Sequence, residues 1–215
     1  TMHNNIRKNI TQIEQEIGNT QLVVVSKYRS LEELKEVYSS GHRDFGENRV
    51  QELVEKHEQL PKDIHWHVIG HLQTNKVKYI ANFVHLIHSI DSLKLLKEVN
   101  KQAKKCDRII PFLFQMHIAD EETKFGLSTD TLLIILDSPE YQAMTNVKCQ
   151  GLMGMATNTE DNDQVTQEFN SLKSQFEEYK ALQGWDVLSM GMSGDYIQAV
   201  SSGSTLVRVG SKIFN

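Results

Sequence analysis

Residues 22–29 read Leu-Val-Val-Val-Ser-Lys-Tyr-Arg, and how they are read decides the fold. Four consecutive apolar residues suit a strand covered on both faces, as in parallel sheets. The run ends on Ser26 and Lys27. A lysine there either snorkels to solvent or points inward for a purpose. If Val23, Val25 and Lys27 share a face at period two, the amine stands above two valines. An apolar surround disfavours the charged form of an amine whose free pKa is about 10.4, leaving it nucleophilic toward an aldehyde. From this stretch alone, the solvent-directed reading is the simpler one.

The flanking sequence supplies the context. Before the strand, Ile6, Ile10, Ile13 and Ile17 line one face of a helix that Gly18 ends. After it, Ser30 and Glu33 form a capping box for a second helix. The alternation then continues. Strands are expected at 43–46, 64–70, 83–90, 109–116, 147–153, 185–190 and 205–210. Helices are expected near 48–57, 73–81, 93–103 and 129–137, then after a Thr157/Glu160 cap, and again after Ser193. Strict βα alternation implies a parallel sheet with right-handed crossovers. With the 22–27 strand, the pattern predicts an α/β fold: a (β/α)8 TIM barrel preceded by an extra helix, in one domain spanning 1–215. An open doubly wound sheet allows the same alternation, but no Gly-x-Gly-x-x-Gly turn follows the first strand.

Composition narrows the function. The 215 residues are 39% hydrophobic and 24% charged, with a net charge of −5. That suits a domain with a substantial core. Scattered basic residues argue against nucleic acid and anionic membrane surfaces. No apolar run approaches the roughly 18 residues of a spanning helix, and no signal peptide is visible. Thr1 ahead of Met2 reads as a residue added before the initiator. Cys106 and Cys149 stand far apart and read as free thiols in a reducing, cytoplasmic setting.

In a barrel of this kind, chemistry gathers at the C-terminal ends of the strands. There the sequence places Lys27, Gly46-Glu47-Asn48, Gly70-His71, Met153-Gly154, Met190-Gly191 and Arg208 through Gly210. The segment 189–211 holds a Gly-x-Ser-Gly turn around Ser193 and a second Gly-Ser at Gly210 and Ser211. Loops after strands seven and eight are the usual phosphate site of such barrels, and small residues let backbone N–H groups approach an anion. Ser193 can both donate its hydroxyl and cap the following helix. Plain turn chemistry explains the same residues. An amine, an anion cradle and an inward Arg208 together suit a ligand with an aldehyde, a phosphate and a ring, as in pyridoxal 5′-phosphate.

The ordered blocks VVVSKYRS, FGENRVQE, WHVIGHLQTNK, HSID, KFGL, GLMGMA, LSMGMSGDYIQAV and GSTLVRVGSKIF resemble the pyridoxal-phosphate homeostasis proteins, which look like the barrel domain of alanine racemase without its second domain. The resemblance runs from about Val23 to Phe214. It implies a pyridoxal phosphate cofactor held as a Schiff base on Lys27. It also implies phosphate ligands at Ser193, Gly210 and Ser211, Arg208 facing the pyridine nitrogen, and Asn48 near the ring. Many relatives carry threonine where Ser211 stands, and the usual Ile-Phe-Gly ending is Ile-Phe-Asn here.

An arginine donates hydrogen bonds and stays charged, so Arg208 should leave the ring nitrogen unprotonated and the electron sink weak. The expectation is a monomeric carrier serving intracellular cofactor homeostasis, able to release pyridoxal phosphate to apo-enzymes, with no catalytic residue assigned. A dimeric racemase is the first rival. It needs a tyrosine opposite Lys27, but Tyr28 should point to the other face and Tyr196 should pack in its helix. The second rival is a metal-dependent hydrolase built on His65, His67 and His71 of HWHVIGH. Arg208 at the mouth opposes it, because a cation beside a dication is unfavourable.

Overall fold

The computed structural model describes residues 2–122 and 125–215. Thr1 and Lys124 of the KFGL block lie outside the described residues. The chain runs α1 (Met2–Ile17), β1 (Gln21–Val25), α2 (Leu31–Ser39), β2 (Asp44–Glu47), α3 (Val50–Gln59), β3 (His65–Val68) and a 3-10 turn (Thr74–Tyr79). It continues through β4 (Leu86–Ile90), α4 (Leu93–Lys105), β5 (Ile110–Met116), α5 (Thr129–Asp137), α6 (Pro139–Gln142) and β6 (Val147–Gly154). It ends with α7 (Asn162–Gln183), β7 (Val187–Ser189), α8 (Tyr196–Ser201), β8 (Leu206–Val209) and α9 (Ser211–Phe214). The strands close in sequence order, with β1 pairing in parallel to both β2 and β8. This is the expected barrel, and closure excludes the open sheet.

Alternate residues of each strand serve two cores. Val23, Leu86, Leu113, Met153 and Leu206 form a small cluster of their own. Their alternates, among them Val24, Phe45, Trp66 and Phe112, join the larger layer beneath the helices. The isoleucine face of α1 is wholly buried. Each such side chain is worth about 1.5–3 kcal/mol, so α1 belongs to the core rather than decorating it. Its Asn9 Nδ2 donates to Ile213 O at 2.8 Å, and Tyr196 Oη donates to its Glu16 at 2.8 Å. The helix therefore straps the seam where β8 meets β1.

Several boundaries differ from the sequence pattern for local reasons. β1 ends at Val25, so Lys27 lies in the turn beyond it. The stretch 73–81 is a 3-10 turn rather than an α-helix, and α6 arises from the Ser138 cap with Pro139 at its first position. Thr157 does not cap α7. Its amide and hydroxyl donate to Glu168 at 2.6 and 2.7 Å, while Asp161 accepts the free amides of Asp163 and Gln164.

Gly151 marks the tightest approach in the sheet. It sits at φ +154°, and a Cβ there would lie 1.8 Å from Val187 O on the paired strand. Gly151→Ala should therefore destabilise the fold by about 1–3 kcal/mol, read as a lower urea midpoint. An unchanged midpoint would mean β6 and β7 are not paired this closely.

Candidate functional site

A cavity of about 670 Å³ opens at the C-terminal mouth of the barrel. Lys27, Ser193, Arg208, Gly210 and Ser211 all line it. They come from the two ends of the chain, which meet because β1 pairs with β8. Asn48 is not among the lining residues. It lies beneath Gly70, whose missing Cβ would stand 2.8 Å from Asn48 Cβ.

Behind the half-buried Lys27 stands a second lysine that the sequence did not single out. Lys56 Nζ, on α3, is 6% exposed and donates to Ser26 O at 2.6 Å, Glu47 Oε2 at 2.8 Å and Glu52 Oε1 at 2.7 Å. Ser26 Oγ also donates to Glu47, and the Tyr28 amide donates to Glu52 Oε1 at 2.6 Å. The turn carrying Lys27 is thus tied down on both flanks. Tyr28 takes φ +63° there, a strained conformation for a non-glycine residue, and the Glu52 hydrogen bond helps hold it. Against expectation, Tyr28 lines the same cavity as Lys27. Burial raises the Glu47 carboxyl despite the opposing pull of Lys56. At Glu52 burial also pushes upward, but Lys56 and the Tyr28 amide outweigh it, and the net shift is downward. The spacing of Glu52 and Lys56 on one helix, four residues apart, was the available signal.

The opposite wall is built from the last loops. Ser193 does not cap α8, whose N-cap is Asp195. Its Oγ instead accepts from the backbone amides of Gly210 at 3.2 Å and Lys212 at 3.4 Å. Gly191 takes φ +106°, and a Cβ there would meet Ala199 Cβ at 2.6 Å, so the turn that presents Ser193 requires glycine.

Arg208 is 2% exposed at the floor of the cavity. It donates to Ser189 Oγ and to Gly154 O, the latter at 3.3 Å. Burial pulls its pKa down to about 10, which leaves it charged at neutral pH. From Ser189 a hydrogen-bonded file runs down the barrel interior. Ser189 Oγ meets His88 Nδ1 at 2.9 Å, His88 Nε2 meets His67 Nδ1 at 2.9 Å, and His67 Nε2 meets Asp44 Oδ1 at 2.9 Å. One direction satisfies every member. Arg208 donates to Ser189, Ser189 to His88, His88 to His67, and His67 to the Asp44 carboxylate. Both imidazoles are then neutral, in keeping with burial, which lowers His67 and takes His88 well below the usual histidine value. At Asp44 burial pushes upward, but the His67 hydrogen bond and its neighbours hold the carboxyl at about 2.

The three histidines of HWHVIGH do not gather at the mouth: His65 and His67 approach Asp44 at the opposite rim, and His71 stands apart. His65 opens β3 at the N-terminal rim and His67 points into the barrel, while His71 follows the strand at the other end and stacks on Phe125 at 4.0 Å. The rival set for a catalytic metal at the mouth is therefore dispersed.

Comparison with known proteins agrees with this architecture. The family described as alanine racemase, N-terminal domain, matches residues 3–215. A pyridoxal phosphate homeostasis protein of Aquifex aeolicus is 38% identical over 198 residues, covering 90% of this chain and 86% of the relative. PipY of Synechococcus elongatus, solved without PLP, superposes with a TM-score of 0.91 at 30% identity, covering 98% of this chain and 100% of PipY. The same protein with PLP bound gives a TM-score of 0.88 at 29% identity, again covering 98% and 100%. Among the described residues, no helix is long and apolar enough to cross a membrane. With an expected barrel, a matched family profile and full-length relatives in agreement, the chain belongs to the alanine racemase N-terminal domain family, in its pyridoxal phosphate homeostasis branch.

Proposed function

We propose that this chain binds pyridoxal 5′-phosphate in the cavity at the barrel mouth and serves cofactor homeostasis as a carrier rather than a catalyst. The observation behind the reading is that one cavity gathers an amine, a buried guanidinium and the hydroxyls of Ser193 and Ser211. That donor set fits the cofactor's chemistry. Lys27 offers the amine for covalent attachment of an aldehyde. The hydroxyls of Ser193 and Ser211 suit phosphate oxygens, and the amides of Gly210 and Lys212, now donating to Ser193 Oγ, would serve a phosphate once that hydroxyl turned toward it. The name and the bound ligand of the relatives support the same assignment.

Bound pyridoxal phosphate supplies a reactive aldehyde and an electron-withdrawing ring, whose pull depends on a protonated ring nitrogen. Arg208, on the cavity floor, would face that nitrogen if the ring lay over it, and it has only protons to donate. Ser189 and Gly154 fix it in that role. Such a donor would leave the ring nitrogen unprotonated and the pull weak, which suits holding the cofactor better than turning over amino acids. In this reading the recipients are apo-enzymes that need pyridoxal phosphate, and the working unit is a monomer.

One observation favours the racemase alternative enough to test it. Tyr28 is among the residues at the cavity edge beside Lys27. Yet the two are adjacent on one turn, and a two-base racemase needs its groups on opposite faces of the substrate. Assays of racemisation and transamination with the loaded protein should give turnover far below roughly 1 per second. Turnover at or above that rate would overturn the carrier reading.

The purified protein mixed with pyridoxal phosphate should show an absorbance band in the visible, and Lys27→Ala should abolish it. A band that persists in that variant would remove Lys27 from the attachment role. Ser193→Ala removes a phosphate-facing hydroxyl, worth about 1.5 kcal/mol as a hydrogen bond to a charged group. Equilibrium dialysis should then show pyridoxal phosphate held roughly tenfold more weakly, and equal retention would place the phosphate elsewhere.

A further inference from the structure

The cluster left over from the site is at the far end of the barrel. Asp44 opens β2, His65 opens β3, His67 stands two residues further along, and His85 immediately precedes β4. The chain places them on three neighbouring strands, with Asp44 opposite His65 in the ladder. One ligand atom each from Asp44, His67 and His85 lies within 4.8 Å of the other two. His65 Nδ1 approaches Asp44 Oδ1 at 3.4 Å, and its ring stacks on His85 with centroids 4.4 Å apart.

We propose that Asp44, His67 and His85, with His65 as fourth ligand, form a structural site for a divalent transition metal of the zinc class at the N-terminal rim of the barrel.

The ligand chemistry is that of zinc, which takes imidazole nitrogen and carboxylate oxygen at about 2.0–2.2 Å in a tetrahedron, so ligand atoms stand roughly 3.3 Å apart. The Asp44–His67 and Asp44–His65 separations of 2.9 and 3.4 Å are already at that spacing. His85 is exposed, so it can turn inward without disturbing the core. His67 is 1% exposed and its other ring nitrogen meets His88, the outer support a metal-ligating histidine requires. Metal on His67 Nε2 moves that ring's proton to Nδ1, which then donates to His88 Nε2. His88 in turn donates from Nδ1 to Ser189 Oγ. Each of the three groups keeps one proton, so no proton is released, and Ser189, which then accepts from both Arg208 and His88, turns its own hydroxyl proton away from His88.

The position argues for structure rather than catalysis. Polar groups at the N-terminal face of such a barrel serve stability, while the reactive cavity opens at the other end. An ion there would pin the starts of three adjacent strands. This site is independent of the pyridoxal phosphate reading, and its test uses no cofactor.

Tag-free protein, stripped with chelator, would be titrated with zinc chloride by calorimetry at neutral pH, and its melting temperature followed in parallel. The expected result is one saturable ion per chain and a raised melting temperature. His85→Ala and Asp44→Asn, both at the surface of the cluster, should each weaken binding at least tenfold and reduce the thermal shift. His71→Ala, at the opposite end, should bind like the parent chain. The proposal is overturned if the parent shows no saturable site, or if His85→Ala and Asp44→Asn bind zinc as the parent does.

Discussion

Lys56 never touches the cavity, yet the cavity depends on it. Its ammonium sits between a backbone carbonyl of the β1 turn and two carboxylates, one from the end of β2 and one from its own helix. Removing one partner of such a buried cluster leaves an uncompensated charge, a loss of about 3–5 kcal/mol. The same contacts lock the backbone on either side of Lys27. A flexible amine can meet a small ligand reliably only if its root is fixed, and here the root is fixed by electrostatics in a nearly dry setting. The strained Tyr28 conformation shows that the turn is held against its own preference.

A second constraint comes from putting an arginine inside a barrel. Arg208 cannot shed its proton at neutral pH, so its donors must be met by protein or ligand. Ser189 and Gly154 meet part of that demand. Ser189 then needs an acceptor of its own, and His88, His67 and Asp44 continue the series to the far rim. The polar file therefore accounts for buried histidines that would otherwise be costly, and it terminates on a carboxylate, which accepts without needing to donate. It also makes the two ends of the barrel parts of one hydrogen-bonded system, with the apolar cluster of Val23, Leu86, Leu113, Met153 and Leu206 filling the space beside it.

The strand order, the extra helix and five residues that line the mouth cavity, Lys27, Ser193, Arg208, Gly210 and Ser211, were legible in the residues. Apolar runs and capping signals are local, and the barrel rule converts their alternation into a list of strand ends. The turn at Ser193 and the glycine-serine pair at Gly210 and Ser211 were visible for the same reason. Asn48, expected near the ring, packs closely under Gly70 at the end of β2, where a Cβ on Gly70 would stand 2.8 Å from Asn48 Cβ. Period-two alternation does not extend to Tyr28, because the chain has already left the strand after Val25.

By itself, the sequence determined the alternation of eight strands with helices and the residue types available at the strand ends. Those depend on hydrophobic period and turn chemistry, which are properties of neighbouring residues. Only the tertiary structure decided which distant polar groups meet. The Lys56 cluster joins positions 26, 47, 52 and 56. The interior file joins positions 44, 67, 88, 189 and 208, and the rim gathers Asp44, His65, His67 and His85 while sending His71 away. Such meetings are set by strand register and barrel closure, and register is a relation between strands that no single stretch of chain contains.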